Sequence, residues 1–246
     1  MLMSEQNVMN VVIDHGNSAA KIGIFDNHVL REQLYVKNSQ DLPAVLENYS
    51  GDNLIISSVS KSHYGNFSAG AFRKVIILSS DTPLPIRNGY RSPETLGMDR
   101  IAAACGAWQL FPGRNCLVVD AGTCITYEIV DSQGIYLGGG ISPGLAMRFR
   151  AMHTFTAKLP LVTPVDAPEL PGSTTTACMQ SGVIWGMIDE IDGVVTRYRE
   201  KYADLQVILC GGDAPFFENK LKASIFASPE IVLIGLNSIL SHNANL

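Results

Sequence analysis

The stretch Cys116-Leu117-Val118-Val119-Asp120-Ala121-Gly122-Thr123 decides the fold, because a second copy of it lies near the start of the chain. The earlier copy reads Val11-Val12-Ile13-Asp14-His15-Gly16-Asn17. In each copy a β-branched apolar run predicts a buried strand, and the turn residues after it predict a hairpin into the next strand. The copies lie roughly a hundred residues apart, which is the size of one domain. The repeat therefore predicts two similar domains.

The turn signal Pro112-Gly113 predicts the boundary between these domains, which we place at 1–113 and 114–246. Both halves contain predicted strands and predicted helices. The main predicted elements are a three-stranded meander over 8–36, a parallel strand over 53–59, a buried Ala-rich helix over 101–108, a strand over 134–137 that ends in a glycine loop, a long helix over 176–202, a strand over 205–210 and a last helix over 228–242.

The two Asp-x-Gly turns have the composition of a phosphate site. A phosphate group needs convergent backbone N–H groups and a close approach of the backbone, and glycine allows both. A carboxylate at a strand end, here Asp14 or Asp120, can hold a metal ion or its water over the phosphates. Lys21 follows the first turn and adds positive charge. One such turn alone is ordinary hairpin chemistry, but two copies with matching flanks predict a clamp for the phosphates of a nucleotide.

The stretch Gly97-Met98-Asp99-Arg100 has two interpretations. An aspartate beside a hydroxyl can accept its proton as the hydroxyl attacks a γ-phosphate. An adjacent arginine can hold a substrate carboxylate through two parallel hydrogen bonds. Alternatively, Asp99 caps the N-terminus of the Ala-rich helix, and spacing alone favours capping over catalysis.

Three further stretches also have a functional and a structural interpretation. Gly211-Gly212-Asp213-Ala214 can let a flat adenine ring lie on backbone and can open a helix N-terminus to an anion, although a plain strand-to-helix turn looks the same. The glycine-dense stretch 138–144 indicates a close backbone approach, but flexibility alone would also account for it. Thr174-Thr175-Thr176 is most simply helix capping, and a hydroxyl donor to a substrate is the functional alternative.

Composition and charge exclude several classes of protein. The chain has 246 residues, 46% of them hydrophobic and 17% charged, which indicates a well-packed globular protein. No dense Lys/Arg stretch occurs and the net charge is -5, so nucleic-acid binding is not expected. The five cysteines form no C-x-x-C pair and no zinc motif is present, which indicates reduced thiols. Neither a secretory signal nor an apolar run of membrane-spanning length is found, so we expect a cytoplasmic protein without membrane contact.

The order of the motifs resembles that of the type III pantothenate kinases. The resemblance covers nearly the whole chain and rests on Asp14-x-Gly16-Asn17-x-x-x-Lys21, Gly97-x-Asp99-Arg100, Asp120-x-Gly122-Thr123, Gly138-Gly139-x-Ile141-x-Pro143-Gly144 and Gly211-Gly212-Asp213. It implies an α/β fold of two ribonuclease-H-like domains of the actin-like ATPase type, with mixed sheets flanked by helices and duplicated around a nucleotide cleft. The implied reaction is the ATP-dependent phosphorylation of pantothenate to 4′-phosphopantothenate, the first step of coenzyme A biosynthesis.

The same resemblance implies roles for individual residues. Asp99 would be the general base, and Asp120 would hold a monovalent cation, K⁺ or NH₄⁺, with Mg²⁺ on the nucleotide. Contacts to ATP are implied for Asp14, His15, Gly16, Asn17, Ser18, Lys21, Gly122, Thr123, Gly211 and Gly212. Contacts to pantothenate are implied for Tyr90, Gly97, Met98, Arg100 and Thr175, with Thr174 or Thr176 as substitutes for Thr175. The family forms homodimers, which implies a second copy of this chain as partner.

Three alternatives remain at this point. The chain could be a kinase of the same superfamily for another small acid or sugar, and the segment from Tyr90 to Arg100 distinguishes it from such a kinase. It could be a catalytically inactive accessory or regulatory member of the family, but the intact Asp99 counts against that. A nucleotide-binding filament protein is the third alternative, and it would not need Asp99 beside Arg100.

Overall fold

The computed structural model describes residues 8–16, 19–38, 41–58, 72–244 and 246. The chain divides into two compact units. The first unit comprises Met1–Pro112, Gly134–Tyr136 and Glu230–Leu246, and the second comprises Gly113–Gln133 and Leu137–Pro229. Both units are discontinuous in sequence. The boundary at residue 113 between the two copies of the repeat stays a prediction.

Along the chain, groups of strands are separated by helices. The first part contains β1 (Met9–His15), β2 (Ala20–Asp26), β3 (Val29–Val36), α1 (Leu42–Leu46), β4 (Gly51–Ser58), β5 (Phe72–Ile77), β6 (Arg87–Asn88), a 3₁₀ turn (Pro93–Thr95) and α2 (Met98–Leu110). The second part contains β7 (Cys116–Ala121), β8 (Cys124–Val130), β9 (Ile135–Pro143), α3 (Leu145–Phe155), α4 (Thr175–Lys201), β10 (Gln206–Cys210), α5 (Ala214–Phe217), β11 (Phe226–Ala227) and α6 (Ile231–Ala244).

The first unit is built on a five-stranded mixed sheet of order β3-β2-β1-β4-β5. The chain opens as the predicted antiparallel meander, in which β1 pairs with β2 and β2 with β3. Strand β4 then runs parallel to β1, and β5 runs parallel to β4. One face of the sheet is buried against Leu42 and Leu46 of α1. Successive residues are buried along β1 (Val11–Ile13) and β4 (Leu54–Ile56), so both faces of these strands are covered, which explains their continuous apolar runs.

The second sheet has six strands in the order β6-β9-β8-β7-β10-β11, and its strands from β9 to β11 repeat the order of the first sheet. Strand β8 pairs antiparallel with β7, whereas β10 runs parallel to β7 and β11 parallel to β10. The strands that end in Asp14 and Asp120, β1 and β7, are the central strands of the two sheets. The duplication predicted from the two Asp-x-Gly stretches is thus confirmed at the level of sheet topology.

The last helix belongs to the first unit through a buried amide network. The Asn10 side chain on β1 donates to the Asn237 carbonyl oxygen on α6 at 2.8 Å, and it accepts from Asn53 on β4 at 2.8 Å. The amide of Asn237 in turn donates to the backbone oxygen of Asn27 at 2.8 Å. Buried polar groups are stable only when they are hydrogen-bonded, so this network fixes the position of α6 on the first sheet.

Helices α2 and α6 cross at two glycines. A Cβ on Gly106 would lie 2.1 Å from the backbone oxygen of Ile231, and a Cβ on Gly235 would lie 1.7 Å from the backbone oxygen of Ala102. Neither distance leaves room for a side chain, so the backbones touch directly. The Ala-rich composition of α2, which predicted a buried helix, is what permits this close packing.

Replacing Gly235 by Ala should lower the free energy of unfolding by about 3 kcal/mol, because the obstacle is backbone and cannot rotate away. The matched control is Gly193→Ala on α4, where a Cβ would meet nothing within 4 Å. That control should gain roughly 0.5–1 kcal/mol from helix propensity. Urea unfolding of both variants measures the difference, and equal stabilities would contradict the close crossing.

Several element boundaries differ from the prediction. The strand expected to stop before the glycines at 138–140 instead continues as β9 to Pro143. The long helix and the strand after it are confirmed as α4 and β10 within one residue at each end. The last helix begins at Ile231 rather than at residue 228. Within the described part of the chain, no helix is both long enough and apolar enough to cross a membrane.

Candidate nucleotide and acceptor sites

The first Asp-x-Gly turn joins β1 to β2. Asp14 and His15 are the last residues of β1, and the Gly16 N–H closes the turn by donating to the Ala19 oxygen at 3.0 Å. Asp14 pairs directly with Lys21 across the antiparallel ladder, so the two side chains project from the same face of the sheet. The carboxylate and ammonium predicted for the phosphate site are thus brought together. Asn17 and Ser18 lie outside the described residues.

The second Asp-x-Gly turn joins β7 to β8 and is closed by a hydrogen bond from the Gly122 N–H to the Cys124 oxygen at 2.9 Å. The end of β9 packs against this turn. The Gly144 N–H donates to the Thr123 oxygen at 3.2 Å, and a Cβ on Gly144 would lie 2.1 Å from the Gly122 oxygen. The close backbone approach predicted from the glycine-dense stretch is therefore confirmed at Gly144.

The Gly211 turn packs against Asp120 and Ala121. Strand β10 runs parallel to β7, with Cys210 beside Asp120. The Asp213 N–H donates to the Ala121 oxygen at 2.8 Å. Gly211 has φ of 94°, and a Cβ there would lie 2.4 Å from Asp120 Oδ1. The second phosphate turn and the predicted adenosine turn thus meet at the carboxyl ends of two parallel strands, the position where open α/β sheets bind ligands.

The other groups at this edge range from exposed to half-buried. Gly212 and Thr123 are both accessible to solvent, and Asp120 is half-buried. Burial raises the pKa of the Asp213 carboxyl above its ordinary value. A half-buried carboxyl beside an accessible backbone turn is the environment expected at a ligand site.

An ion pair that no motif predicts holds the end of β9. The Arg148 guanidinium on α3 donates to the Pro143 oxygen at 2.9 Å, to the Ser142 hydroxyl at 2.8 Å and to the Glu190 carboxylate on α4. The Tyr127 hydroxyl donates to the same carboxylate at 3.0 Å. This network fixes the two residues before Gly144, and so it positions the backbone that supports the second phosphate turn.

The pKa values of this network follow from those contacts. Burial opposes ionisation of Glu190, but hydrogen bonds from Arg148, Ser142 and Tyr127 outweigh it, so its pKa lies below the ordinary value. Burial, followed by the neighbouring Glu190 charge, raises the pKa of Tyr127. The carboxylate therefore stays ionised and the phenol stays protonated near neutral pH.

The first turn of α2 carries the predicted acceptor residues of the first unit. Gly97 occupies the N-cap position and no side chain caps the helix, so the capping interpretation of Asp99 is wrong. Asp99 lies in the first helical turn with an exposed side chain, and its Oδ1 accepts from the Arg100 N–H at 2.9 Å. A Cβ on Gly97 would lie 2.5 Å from that oxygen. Gly97 thus leaves room for the carboxylate, and Met98 begins the helix beside it.

Tyr90 lies beside Arg100 in the same unit. The Arg100 guanidinium carbon is 5.7 Å from the centre of the Tyr90 ring, which is within the range of a cation–π contact. Arg100 is only 8% exposed, whereas Tyr90 is partly exposed. Tyr136, which no motif predicts, packs against Tyr90, with 6.0 Å between the centres of the two rings. A buried cation, an aromatic ring and an exposed carboxylate are therefore gathered around one helix start.

The threonine stretch precedes α4 in the second unit. Thr174 is the N-cap, and its hydroxyl oxygen accepts from the Ala177 N–H at 3.2 Å, so the capping interpretation is confirmed for this residue. Thr175 is the first residue of the helix and its side chain is exposed, as is that of Thr176. Both hydroxyls remain accessible to a ligand, and the choice of Thr175 stays a prediction.

Comparison with known proteins places the chain in one family. Residues 10–197 match the family model of type III pantothenate kinase. The type III pantothenate kinase of Phocaeicola vulgatus is 45% identical over 243 residues, covering 97% of this chain and 100% of the relative. That of Christiangramia forsetii is 40% identical over 245 residues, covering 96% of this chain and 99% of the relative.

Solved structures agree on the fold alone. A Campylobacter jejuni structure described as a Baf family transcriptional activator has TM-score 0.64 and 22% identity, covering 96% of this chain and 100% of that one. The polyphosphate/ATP-glucomannokinase of an Arthrobacter strain has TM-score 0.52 and 14% identity, with 96% and 100% coverage. The similarity to this sugar kinase confirms the predicted α/β fold of the actin-like ATPase type. The sequence relatives show that the chain belongs to the type III pantothenate kinase family.

Proposed function

We propose that this chain transfers the γ-phosphoryl group of ATP to the terminal hydroxyl of pantothenate and yields 4′-phosphopantothenate, the first step toward coenzyme A. The observation that carries the proposal is the exposed carboxylate of Asp99 next to the buried guanidinium of Arg100 at the start of α2. Pantothenate has a hydroxyl that must lose a proton and a carboxylate that needs a cation. The two neighbouring side chains match those two groups.

In this mechanism Asp99 accepts the proton of the attacking hydroxyl, and Arg100 holds the acceptor carboxylate with Tyr90 packed beside it. Transfer of a phosphoryl group through a loose transition state needs little covalent help from the protein, so orientation of the hydroxyl is the main contribution. Gly97, Met98 and Thr175 complete the proposed acceptor contacts. Asp99 keeps its geometry through the hydrogen bond from the Arg100 N–H.

The phosphates of ATP are proposed to bind the two Asp-x-Gly turns. Lys21, opposite Asp14 on the ladder, supplies positive charge to the phosphates. In the second unit, the backbone of Gly122 and Thr123 and the turn at Gly211 are proposed contacts to the nucleotide. The proposed contacts at His15, Gly16, Asn17, Ser18 and Gly212 are drawn from the family pattern.

The oxygen donors fit a hard cation carried by the nucleotide. Among the described residues, no cluster of three or more His, Cys, Asp or Glu side chains could form an all-protein metal site. Mg²⁺ characteristically binds one or two carboxylates together with substrate phosphates, and Asp14 at the first turn supplies that kind of donor. When bound, the cation would neutralise phosphate charge.

Asp120 is proposed to hold a monovalent cation, so turnover should depend on potassium or ammonium. Exchanging potassium chloride for choline chloride at equal ionic strength should lower kcat, and added potassium should restore it. Asp120→Asn should lose this response, because an amide is a weaker ligand for a cation than a carboxylate. Steady-state rates across a potassium titration measure the effect. A wild type that is indifferent to potassium would contradict this role.

We also propose that the chain acts in the cytoplasm as a homodimer through one face of α4. Trp185 is 37% exposed there, and Cys178, Gly182, Gly186 and Asp189 are exposed on the same helix at spacings of three or four residues. Small residues beside an exposed tryptophan allow two helices to approach closely. Size-exclusion chromatography coupled to light scattering should give a molar mass twice that of the chain. A monomeric mass at micromolar concentration would contradict the proposal.

The acceptor is tested with a panel of substrates. Coupled ADP-release assays should show turnover with pantothenate and little with acetate, glycerate, glucose or mannose. The physical reason is that the proposed site pairs a base for a hydroxyl with a cation for a distant carboxylate. Turnover with a sugar and none with pantothenate would establish another kinase of the superfamily.

A further inference from the structure

Tyr136 is a fully buried aromatic residue, with 0% of its surface exposed, at the start of β9. The strand segment around it pairs in parallel with β6, the short strand that leads into Tyr90. The Arg87 N–H donates to the Gly134 oxygen at 2.8 Å, and the Gly89 N–H donates to the Tyr136 oxygen at 2.9 Å. The backbone on both sides of Asn88 is therefore fixed to this segment immediately before Tyr90.

The side chain of Tyr136 extends the same contact. Its ring centre lies 6.0 Å from that of Tyr90, with the planes tilted by 33°, within the range of favourable aromatic pairs. The Tyr90 ring in turn lies 5.7 Å from the guanidinium carbon of Arg100. Tyr136, Tyr90 and Arg100 thus form a continuous row of packed groups that ends at the proposed carboxylate-binding cation.

The start of β9 is also fixed to the helix that carries Arg100. Gly134 has φ of 72°, and a Cβ there would lie 3.1 Å from the Trp108 ring. Trp108 lies near the end of α2, whereas Arg100 lies in its first turn. The segment 134–136 therefore contacts α2 directly through Trp108 and indirectly through Tyr90, and these two contacts determine where Tyr136 lies relative to Arg100.

We propose that Tyr136 is a positioning residue for the acceptor: its ring holds Tyr90 against the Arg100 guanidinium and so sets the direction in which Arg100 meets the acceptor carboxylate. The inference rests on the proposed function and deepens it, because it names a residue that determines the preference for a carboxylate-bearing acceptor. Tyr136 is fully buried, so it acts through Tyr90 and Arg100. A ring that merely filled space would affect stability without affecting that preference.

The test compares two acceptors that differ only in this group. Pantothenyl alcohol carries a CH₂OH group where pantothenate carries its carboxylate. The quantity measured is the ratio of kcat/KM for pantothenate to kcat/KM for pantothenyl alcohol. Tyr136→Leu should lower this ratio by about tenfold, the scale of one weakened charge-assisted hydrogen bond. Tyr136→Phe keeps the ring and should stay within about twofold of the wild type.

Phe25→Leu is the control for a purely structural effect. Phe25 is 1% exposed in the first unit, so its loss removes a buried ring of similar size outside the acceptor residues. It should lower Tm and leave the ratio unchanged. If Tyr136→Leu does not fold, Tyr136→Met supplies a flexible side chain that adapts to the gap without a ring, and the same fall is expected.

The outcomes separate the inference from the proposed function. A wild type that does not turn over pantothenate contradicts the function, and the inference fails with it. An active wild type whose preference for the carboxylate survives Tyr136→Leu or Tyr136→Met overturns the inference alone. A fall of equal size in Phe25→Leu also overturns it, because general destabilisation would then explain the result.

Discussion

Replacing Asp99 by Asn is expected to lower kcat for pantothenate by about 10²- to 10⁴-fold and to leave the KM for ATP close to the wild-type value. Asparagine has the size of aspartate but cannot accept the proton of the attacking hydroxyl. Its side-chain oxygen can still accept from the Arg100 N–H, a bond of 2.9 Å in the native chain. The start of α2 should therefore keep its shape, and the loss should fall on the chemical step.

The matched control is Asp81→Asn. Asp81 is an exposed aspartate of the same unit, outside the proposed site, so this variant should keep both constants within about twofold. Steady-state kinetics with each substrate varied in turn measures the constants. Unchanged kcat in Asp99→Asn would remove Asp99 as general base, and a large rise in both KM values with normal kcat would make it a binding residue.

Replacing Gly211 by Ala is expected to weaken ATP binding by at least about tenfold, because a left-handed backbone costs a side-chain-bearing residue about 1–2 kcal/mol. Gly211 has φ of 94°, and the new Cβ would lie 2.3 Å from the Ala121 oxygen. The same atom would lie 2.4 Å from Asp120 Oδ1. The turn cannot keep its shape, and the predicted cation-binding carboxylate must move with it.

Gly113→Ala separates backbone strain from this displacement. Gly113 has φ of 77°, but a Cβ there would meet nothing within 4 Å. The control should lower Tm modestly and leave the Kd for ATP unchanged. Calorimetric titration of both variants with ATP gives the comparison. Equal affinities in Gly211→Ala and the wild type would show that this turn is not part of the nucleotide site.

The duplicated fold could be predicted because its signal is local and repeated. Each Asp-x-Gly stretch contains a buried strand and the turn that ends it, and both are properties of neighbouring residues. The strand order around β1 is the same as that around β7, as expected of two copies of one unit. Parallel strands bring their carboxyl ends to the same edge of a sheet, so two turns that follow such strands, like those at Gly211 and Asp120, can be expected to lie near each other.

The glycine stretch of β9 shows where local signals fail. Three consecutive glycines indicate a loop by propensity, yet β9 continues through them to Pro143. The reason is tertiary, because a Cβ on Gly139 would lie 1.7 Å from the Tyr127 oxygen of the neighbouring strand. Glycine in a strand can mark such an approach, but the sequence does not show which backbone approaches.

The residues that the sequence did not predict act over long separations. Arg148 and Glu190 meet from two different helices, and Tyr136 reaches Tyr90 across 46 positions of numbering. No spacing rule connects such pairs in a single sequence. Asp99 illustrates the opposite error, since its position before an Ala-rich run favoured a cap, whereas the N-cap is Gly97, two residues earlier, and the helix begins at Met98.

All the proposed residue roles depend on one reaction, the transfer of the γ-phosphoryl group of ATP to a hydroxyl of pantothenate. Phosphorus NMR of a reaction containing the full chain, ATP, magnesium, potassium and pantothenate tests it most directly. We expect a new phosphomonoester signal whose intensity grows with ADP, and mass spectrometry should place the phosphate on the terminal hydroxyl. An acyl phosphate on the carboxylate, or ADP formation without any pantothenate-derived product, would contradict it.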